Sequence, residues 1–301
     1  MHDLTIAIPA YNEERSLTAF LPDLLEYCRA RGCRLVIVND GSKDRTRELL
    51  AQYEELPFFT VIHHKVNRGY GGAIKTCIKT TQTPYVVTMD ADGQHRLEDV
   101  TALYEVLRSH DADMVVGGRI KHKESLYRKT GKRLIRFFAN RLMTIPIHDL
   151  NSGMKIYRTD LFRRYLQLCP DTMALSDIIT LIFIHHRHLV LEHPITVMPR
   201  TAGKSTISLK TAFDTLLEIL HIVTMFNPMR VFLPPALFFF LFSAIWGMPI
   251  LLRGEGVSVG TELLFITGLI FFFLGLIAEQ LALIRKSLGL ALLKKQSSGD
   301  E

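Results

Sequence analysis

The chain has 301 residues, 48% of them hydrophobic, with 36 Lys and Arg against 30 Asp and Glu for a formal net charge of +6. That length allows one large domain or two modest ones, with ample size for a buried core. Cys28, Cys33, Cys77 and Cys169 lack zinc-type pairing and read as reduced cytosolic thiols, which excludes a structural zinc site and a disulfide framework.

Met1-His2-Asp3 leads straight into an apolar run, so no signal peptide is expected before the first strand. Leu4–Ile8, Leu35–Val38, Thr60–Ile62, Tyr85–Met89 and Met114–Val116 read as short buried strands. Helical patterns near Arg15–Ala30, Asp44–Glu54, Gly72–Thr80 and Leu97–Ser109 separate them. This alternation predicts an α/β domain whose mostly parallel sheet is covered on both faces. His185-His186-Arg187-His188 invites a metal reading, but adjacent helical positions point in different directions, and a solvated or interfacial face is expected instead.

Mean hydropathy is +0.17, slightly high for a soluble enzyme, and the excess is concentrated after Val231. Leu209, Ala212, Phe213, Leu216, Leu217, Leu220 and Val223 recur at helical spacing, predicting an amphipathic interface helix over 208–228. Residues 231–252 carry no charge and about 22 residues reach roughly 33 Å, enough to cross a bilayer. Residues 263–284 form a second span whose ionisable residue is Glu279. Lys204, Lys210, Arg230, Arg285, Lys286, Lys294 and Lys295 flank the pair, while Arg253 stands alone in the connecting loop. The positive-inside bias puts the N-terminal domain (1–207) and the tail (287–301) on the cytoplasmic side of the plasma or inner membrane, with a hairpin over 229–286 between them.

Candidate chemistry gathers at strand ends. Asp90-Ala91-Asp92 directly follows the fourth strand, at the carboxyl edge where open α/β sheets bind ligands. By itself Asp-x-Asp reads as an acidic turn with Gly93 supplying the bend. Two carboxylates two positions apart can also hold one hard cation that bridges a nucleotide diphosphate. Pro9-Ala10-Tyr11-Asn12-Glu13 follows the first strand, and Asp40 follows the second, with Asp44 placed to cap a helix. The glycine-rich turn Asn67–Ala73 has neither a dinucleotide fingerprint nor a P-loop.

In this order and spacing, Pro9–Glu13, Asp40–Thr46, Asn67–Ala73 and Asp90–Gln94 resemble the successive nucleotide-sugar motifs of family 2 glycosyltransferases. The resemblance implies a GT-A fold in which Pro9, Ala10, Tyr11, Glu13 and Asp40 hold the nucleotide together with Asp90, Ala91 and Asp92. It further implies a Mg2+ or Mn2+ ion on Asp90, Asp92 and Gln94. Gly117-Gly118-Arg119, Lys132-Arg133, Asp149–Lys155 and Arg200–Ser205 are similar to the polyprenyl-phosphate branch, which includes dolichyl-phosphate mannose synthases and undecaprenyl-phosphate glycosyltransferases. Two positions depart from it: Lys155 stands where the family commonly has Arg, and Thr206 where a second Lys is frequent.

The implied activity is inverting transfer of one sugar from a nucleotide-diphosphate sugar of the GDP-mannose or UDP-hexose type to dolichyl or undecaprenyl phosphate. Asp90, Asp92 and Arg119 would be catalytic; Arg119, Arg133, Ser152, Arg200 and Lys204 would meet the acceptor phosphate. A phosphate monoester is largely dianionic at neutral pH, so the acceptor needs no general base. Asp177 is left as either an acceptor-positioning group or a structural helix residue. The expected partners are the sugar nucleotide, the lipid phosphate and the membrane, with no nucleic acid, and relatives of this branch form homo-oligomers. A processive synthase would need further spans and a Gln-x-x-Arg-Trp motif, whereas the single tryptophan, Trp246, lies in the first span. A catalytically silent membrane-anchored sugar-nucleotide binding protein is the rival from another class, alongside a family 2 transferase with a different lipid or glycan acceptor.

Overall fold

The computed structural model describes residues 1–119, 146–150, 152–198, 224 and 228–297, the last helix with side chains to residue 284. These residues fall into two units, a sheet-based domain and a helical hairpin. Strands β1 (Leu4–Ala10), β2 (Arg34–Asn39), β3 (Phe59–His63), β4 (Tyr85–Thr88) and β5 (Met114–Arg119) occupy the five predicted positions. Helices α1 (Glu14–Arg31), α2 (Thr46–Ala51), α3 (Gly69–Thr80) and α4 (Leu97–Ser109) connect them. β6 (Lys155–Arg158), α5 (Thr159–Tyr165), a 3-10 turn (Leu166–Leu168), α6 (Leu175–His185) and β7 (Val190–Ile195) complete the domain.

The sheet runs β3-β2-β1-β4-β6-β5-β7. β1 pairs in parallel with β2 and β4, and β2 with β3. β6 runs antiparallel between β4 and β5, while β5 and β7 are parallel. The mostly parallel α/β architecture is thus present, with one reversed strand inside it. β3 corrects one expectation: it lies at the sheet edge and only Phe59 is buried, because pairing on one side leaves Thr60 exposed and Val61, Ile62 and His63 half-buried.

Helical spacing decides which helix residues are inside. On α1, Leu17, Leu21, Leu24 and Cys28 recur every three or four positions and are fully buried, and Val100, Leu103 and Leu107 do the same on α4. Both sets join Leu4, Ile6, Ile8, Leu35 and Ile37 in one core cluster. Ile74, Cys77 and Ile78 of α3 are buried in contact with β1 and β2, and the Cys77 thiol lies 3.8 Å from the Ile8 carbonyl. All four cysteines are buried free thiols. His188 bonds the Tyr165 hydroxyl at 3.0 Å and lies 3.4 Å from Asp113, so this histidine ties α5 to the start of β5.

In the second unit, α7 (Met229–Leu252) and α8 (Val259–Ser297) form an antiparallel pair. Met229–Leu252 and Val259–Ile284 have mean hydropathies of 2.0 and 2.2 and leave most side chains exposed, as lipid-facing helices do. The Phe239 and Phe271 rings stack at 5.7 Å, and the Ser243 hydroxyl donates to the Thr261 carbonyl at 2.9 Å. The pair begins at Met229, where the hairpin was expected, while its helices start two and four residues before the predicted spans 231–252 and 263–284. Apart from residues 224 and 228, the expected amphipathic segment 208–228 lies outside the described residues.

Candidate active site

β1, β2 and β4 all end on one edge, and the chain order reverses between β1 and β4. A cleft of about 810 Å³ opens there. Its lining includes Pro9, Ala10, Tyr11, Glu13, Asp40, Asp90, Ala91 and Asp92, the eight residues expected to hold the donor. Asn12, Asp44, Asn67, Tyr70 and Met173 also line it.

The floor is held by polar bonds between loops. Asn12 adopts a left-handed φ of 56°, its amide donates to the Ser42 hydroxyl at 2.9 Å, and its side-chain oxygen accepts from the Lys43 amide at 2.8 Å. Asp44 accepts from the Glu14 amide with one oxygen and from the Thr46 amide and hydroxyl with the other, joining the starts of α1 and α2. Burial acts to raise this carboxyl, but the Thr46 hydroxyl and the amides hold it below the ordinary value. Asp40 is buried, and its Oδ1 lies 2.6 Å from His64 Nδ1 while accepting from the Arg68 amide. Glu13 accepts from the Ser16 hydroxyl at 2.8 Å.

The Asp90 carboxylate is open to the cleft, with buried His95 3.7 Å away. Tyr70 faces it: burial pushes the phenol well above its ordinary value, and the Asp90 charge adds to the shift. Gly93 takes a φ of +69°, a turn conformation that glycine adopts without Cβ strain. Asp92 accepts from the Gln94 amide at 3.1 Å. Gln94 does not line the cleft; its side-chain nitrogen donates to the Met198 carbonyl at 3.1 Å.

Antiparallel β6 explains how a distant segment reaches this edge. Thr88 registers with Lys155, so the chain just before β6 meets the chain just after β4. Gly153 packs on Asp90, and a Cβ there would collide with the carboxylate. Lys155 is fully buried and donates to the Leu150 carbonyl (2.6 Å), the Ser176 carbonyl (2.7 Å) and the Thr180 hydroxyl (2.9 Å). Burial lowers this ammonium from 10.5 to about 8 despite Asp177 and Asp149 nearby. Asp177 on α6 lies near Lys155, Asp149 and Arg119; burial raises its carboxyl, and among the described residues its Oδ1 is buried without a hydrogen-bond partner.

Arg119 ends β5 on the same edge. Its Nε and one terminal nitrogen donate to Asp149 at 2.7 and 2.9 Å, and its amide donates to the same carboxylate at 3.1 Å. This bond to Asp149 raises the guanidinium further. Burial acts to raise Asp149, yet the Arg119 guanidinium holds it below the ordinary carboxylate range. Ser152 is fully buried and its hydroxyl bonds within its own turn at Met154, which places it inside the loop and away from the surface where a lipid phosphate was expected to meet it. Arg133, Arg200 and Lys204 lie outside the described residues. Sequence reasoning singled out the segments Asn67–Ala73 and Asp149–Lys155 but gave no role within them to Tyr70, Asp149 or Gly153, and Glu192 carried no signal at all.

A nucleotide-sized cleft at the switch point of a mostly parallel sheet, with paired carboxylates at its lip and an apolar hairpin downstream, defines a GT-A-like catalytic domain joined to a membrane anchor. The description "Glycosyl transferase family 2" matches residues 5–166, more than half of the chain, and "GtrB C-terminal hairpin" matches residues 227–284. The chain belongs to glycosyl transferase family 2. It is a glycosyltransferase-class enzyme and a multi-pass membrane protein whose catalytic domain faces the cytoplasm.

An undecaprenyl-phosphate 4-deoxy-4-formamido-L-arabinose transferase from Photorhabdus laumondii is 28% identical, covering 93% of this chain and 89% of that protein. A protein of the same description from Pectobacterium carotovorum is 27% identical over 91% of this chain and 84% of its own length. Glucosyl-3-phosphoglycerate synthase from Mycobacterium tuberculosis, solved with phosphoglyceric acid, shares the fold with a TM-score of 0.54 at 15% identity, covering 73% of this chain and 79% of that one.

Family membership implies a divalent-cation-dependent mechanism. Among the described residues no group of three or more His, Cys, Asp or Glu side chains is gathered as a metal site. What the cleft offers is two carboxylates, with Asp90 exposed and the Gly153 backbone cleared to admit it. That donor set fits a hard cation whose remaining oxygens come from a diphosphate ligand.

Proposed function

We propose that this enzyme transfers a single sugar, with inversion, from a nucleotide-diphosphate sugar to a polyprenyl phosphate at the cytoplasmic membrane face. The observation that carries the reading is the placement of Asp90 and Asp92 at the switch-point cleft, with Arg119 on the same sheet edge, in a chain that also has a membrane hairpin. Pro9, Ala10, Tyr11, Glu13 and Asp40 line the part of the cleft assigned to the nucleotide. Asp90 and Asp92 would hold Mg2+ or Mn2+, which supplies Lewis-acid stabilisation of the departing nucleoside diphosphate.

The chain's own residues then have positional and electrostatic work. Arg119, already oriented by Asp149, presents positive charge to an acceptor phosphate that is dianionic without a base. Catalysis therefore rests on alignment and charge neutralisation. Asp177 is not needed to take a proton. The two relatives described above act, by their names, on undecaprenyl phosphate, which supports the same acceptor class here.

The test uses the purified full chain in nanodiscs with a panel of GDP- and UDP-sugars and with undecaprenyl or dolichyl phosphate. Sugar should appear on one of the lipids, transfer should stop in EDTA, and Asp92→Asn should abolish it while the protein still inserts. Full turnover in EDTA would defeat the cation assignment. Binding of a sugar nucleotide with no nucleoside diphosphate released on either lipid would instead identify a silent binding protein.

A further inference from the structure

We propose that Glu192, on β7 and outside the cleft, is a positioning residue for the acceptor side of the reaction, acting through Asp149 on Arg119. The inference rests on the acceptor role given to Arg119 above. Glu192 registers with Val116 of β5, two residues before Gly118. Its carboxylate leans over Gly118, where a Cβ would stand 2.5 Å from Oε1 and 2.8 Å from Cγ. A side chain at 118 would therefore displace the carboxylate, which gives this glycine a spatial reason.

From that place Glu192 holds consecutive amides of one turn. Oε2 accepts from the His148 amide at 2.7 Å and lies 2.9 Å from His148 Nδ1; Oε1 accepts from the Asp149 amide at 2.9 Å. Bonds from amides to a carboxylate are charge-assisted, and this one is mostly buried. With the turn seated, both Asp149 oxygens meet Arg119 side-on, using its Nε and one terminal nitrogen. Two parallel bonds in the guanidinium plane fix its rotation as well as its position, so the edge formed by the two terminal nitrogens has a defined direction. A phosphate dianion bound bidentately requires that definition, because an arginine free to rotate would lose rotamer freedom on each binding event.

The described contacts run in series: Glu192 seats the 148–149 turn, the turn aims Asp149, and Asp149 aims Arg119. Glu192→Gln keeps the size but puts a donor opposite one of two backbone donors. Gly118→Ala reaches the same end differently, by pushing the intact carboxylate aside.

The experiment measures donor affinity, melting temperature and transfer to undecaprenyl phosphate for the full chain in nanodiscs, with Glu192→Gln and Gly118→Ala made in both the native and the Arg119→Ala backgrounds. In the native background each change should lower kcat/KM for the lipid roughly tenfold, with the affinity for the sugar nucleotide unchanged. In the Arg119→Ala background Glu192→Gln should have almost no further effect, since its route of action is gone. An equal loss in both backgrounds, a fall in donor affinity in step with the rate, or transfer that Arg119→Ala leaves intact would overturn the inference while the transferase reading stands. Absence of transfer to any polyprenyl phosphate by the unsubstituted protein would defeat the function proposed above, and this inference with it.

Discussion

Lys155→Met should change how stability depends on pH, in a direction fixed by the burial of the ammonium. In the native protein Lys155 is lowered from 10.5 to about 8. Between these values the unfolded chain binds the proton and the folded chain does not, so folding gains stability as pH rises from 8 to 10.5. A displacement of that size is worth roughly 3 kcal/mol across the window. Near pH 7 the substitution removes the charged group's burial cost but strips the Leu150 carbonyl of its donor, about 1–3 kcal/mol; the Ser176 carbonyl keeps the Thr180 hydroxyl. The two effects nearly offset, so the proteins should melt close together at pH 7. By pH 10 the native protein should have gained roughly 2–3 kcal/mol over the variant, or about 5–10 °C. Scanning fluorimetry of both proteins in the same detergent checks this, because titration of every other group cancels in the difference. Curves that stay parallel from pH 7.5 to 10, or that converge, would refute the reasoning.

Gly153→Ala should lower transfer by more than tenfold and raise the divalent-ion concentration needed for half activity, since the new methyl group displaces the Asp90 carboxylate; unchanged ion dependence would count against Asp90 as a ligand. Asp44→Ala should cost about 2 kcal/mol, roughly one for each helix start it holds, measured as a fall in melting temperature at pH 7. Because the Asp44 carboxyl is held below its ordinary value, that contribution is complete above the ordinary value and is lost as pH falls through the lowered one, so the gap between the two proteins should close in acid. A reporter fused after Glu301 should be active in the cytoplasm and one inserted at Gly256 should face outward; the reverse pattern would contradict the hairpin orientation.

The donor side was legible because each element carried its own signal. Tyr85-Val86-Val87-Thr88 is a branched, apolar run, and the carboxylates directly behind it had to lie at its carboxyl end. The acceptor side was not. β6 reads Lys-Ile-Tyr-Arg, and nothing local announces that Lys155 would be fully buried on three oxygens supplied by residues up to 25 positions away. β7 contains Glu192, His193 and Pro194, a poor match to any strand pattern, and its Glu192 is accommodated only because Gly118 leaves room. The predicted helix at Asp44–Glu54 shrinks to Thr46–Ala51, since Asp44 lies ahead of it, bonding the Thr46 amide from outside, and residues 52–55 form turns. Arg119 was singled out for its charge, but its pairing with Asp149, thirty residues on, is a fact of tertiary structure alone.

The reversed strand also sets the order in which the sheet can be completed during synthesis. β1, β2, β3 and β4 pair among themselves and are all present once residue 88 has been made. β5 has no such neighbour: it pairs with β6 and β7, and β6 is also its bridge to β4. The strand that carries Arg119 must therefore wait for at least residue 158 before it joins the sheet, and for residue 195 before both its sides are paired. With chain growth of about 5–20 residues per second, the nucleotide half precedes its counterpart by several seconds. The half of the sheet that carries Arg119 is the last part the ribosome can finish, before the apolar helices are made.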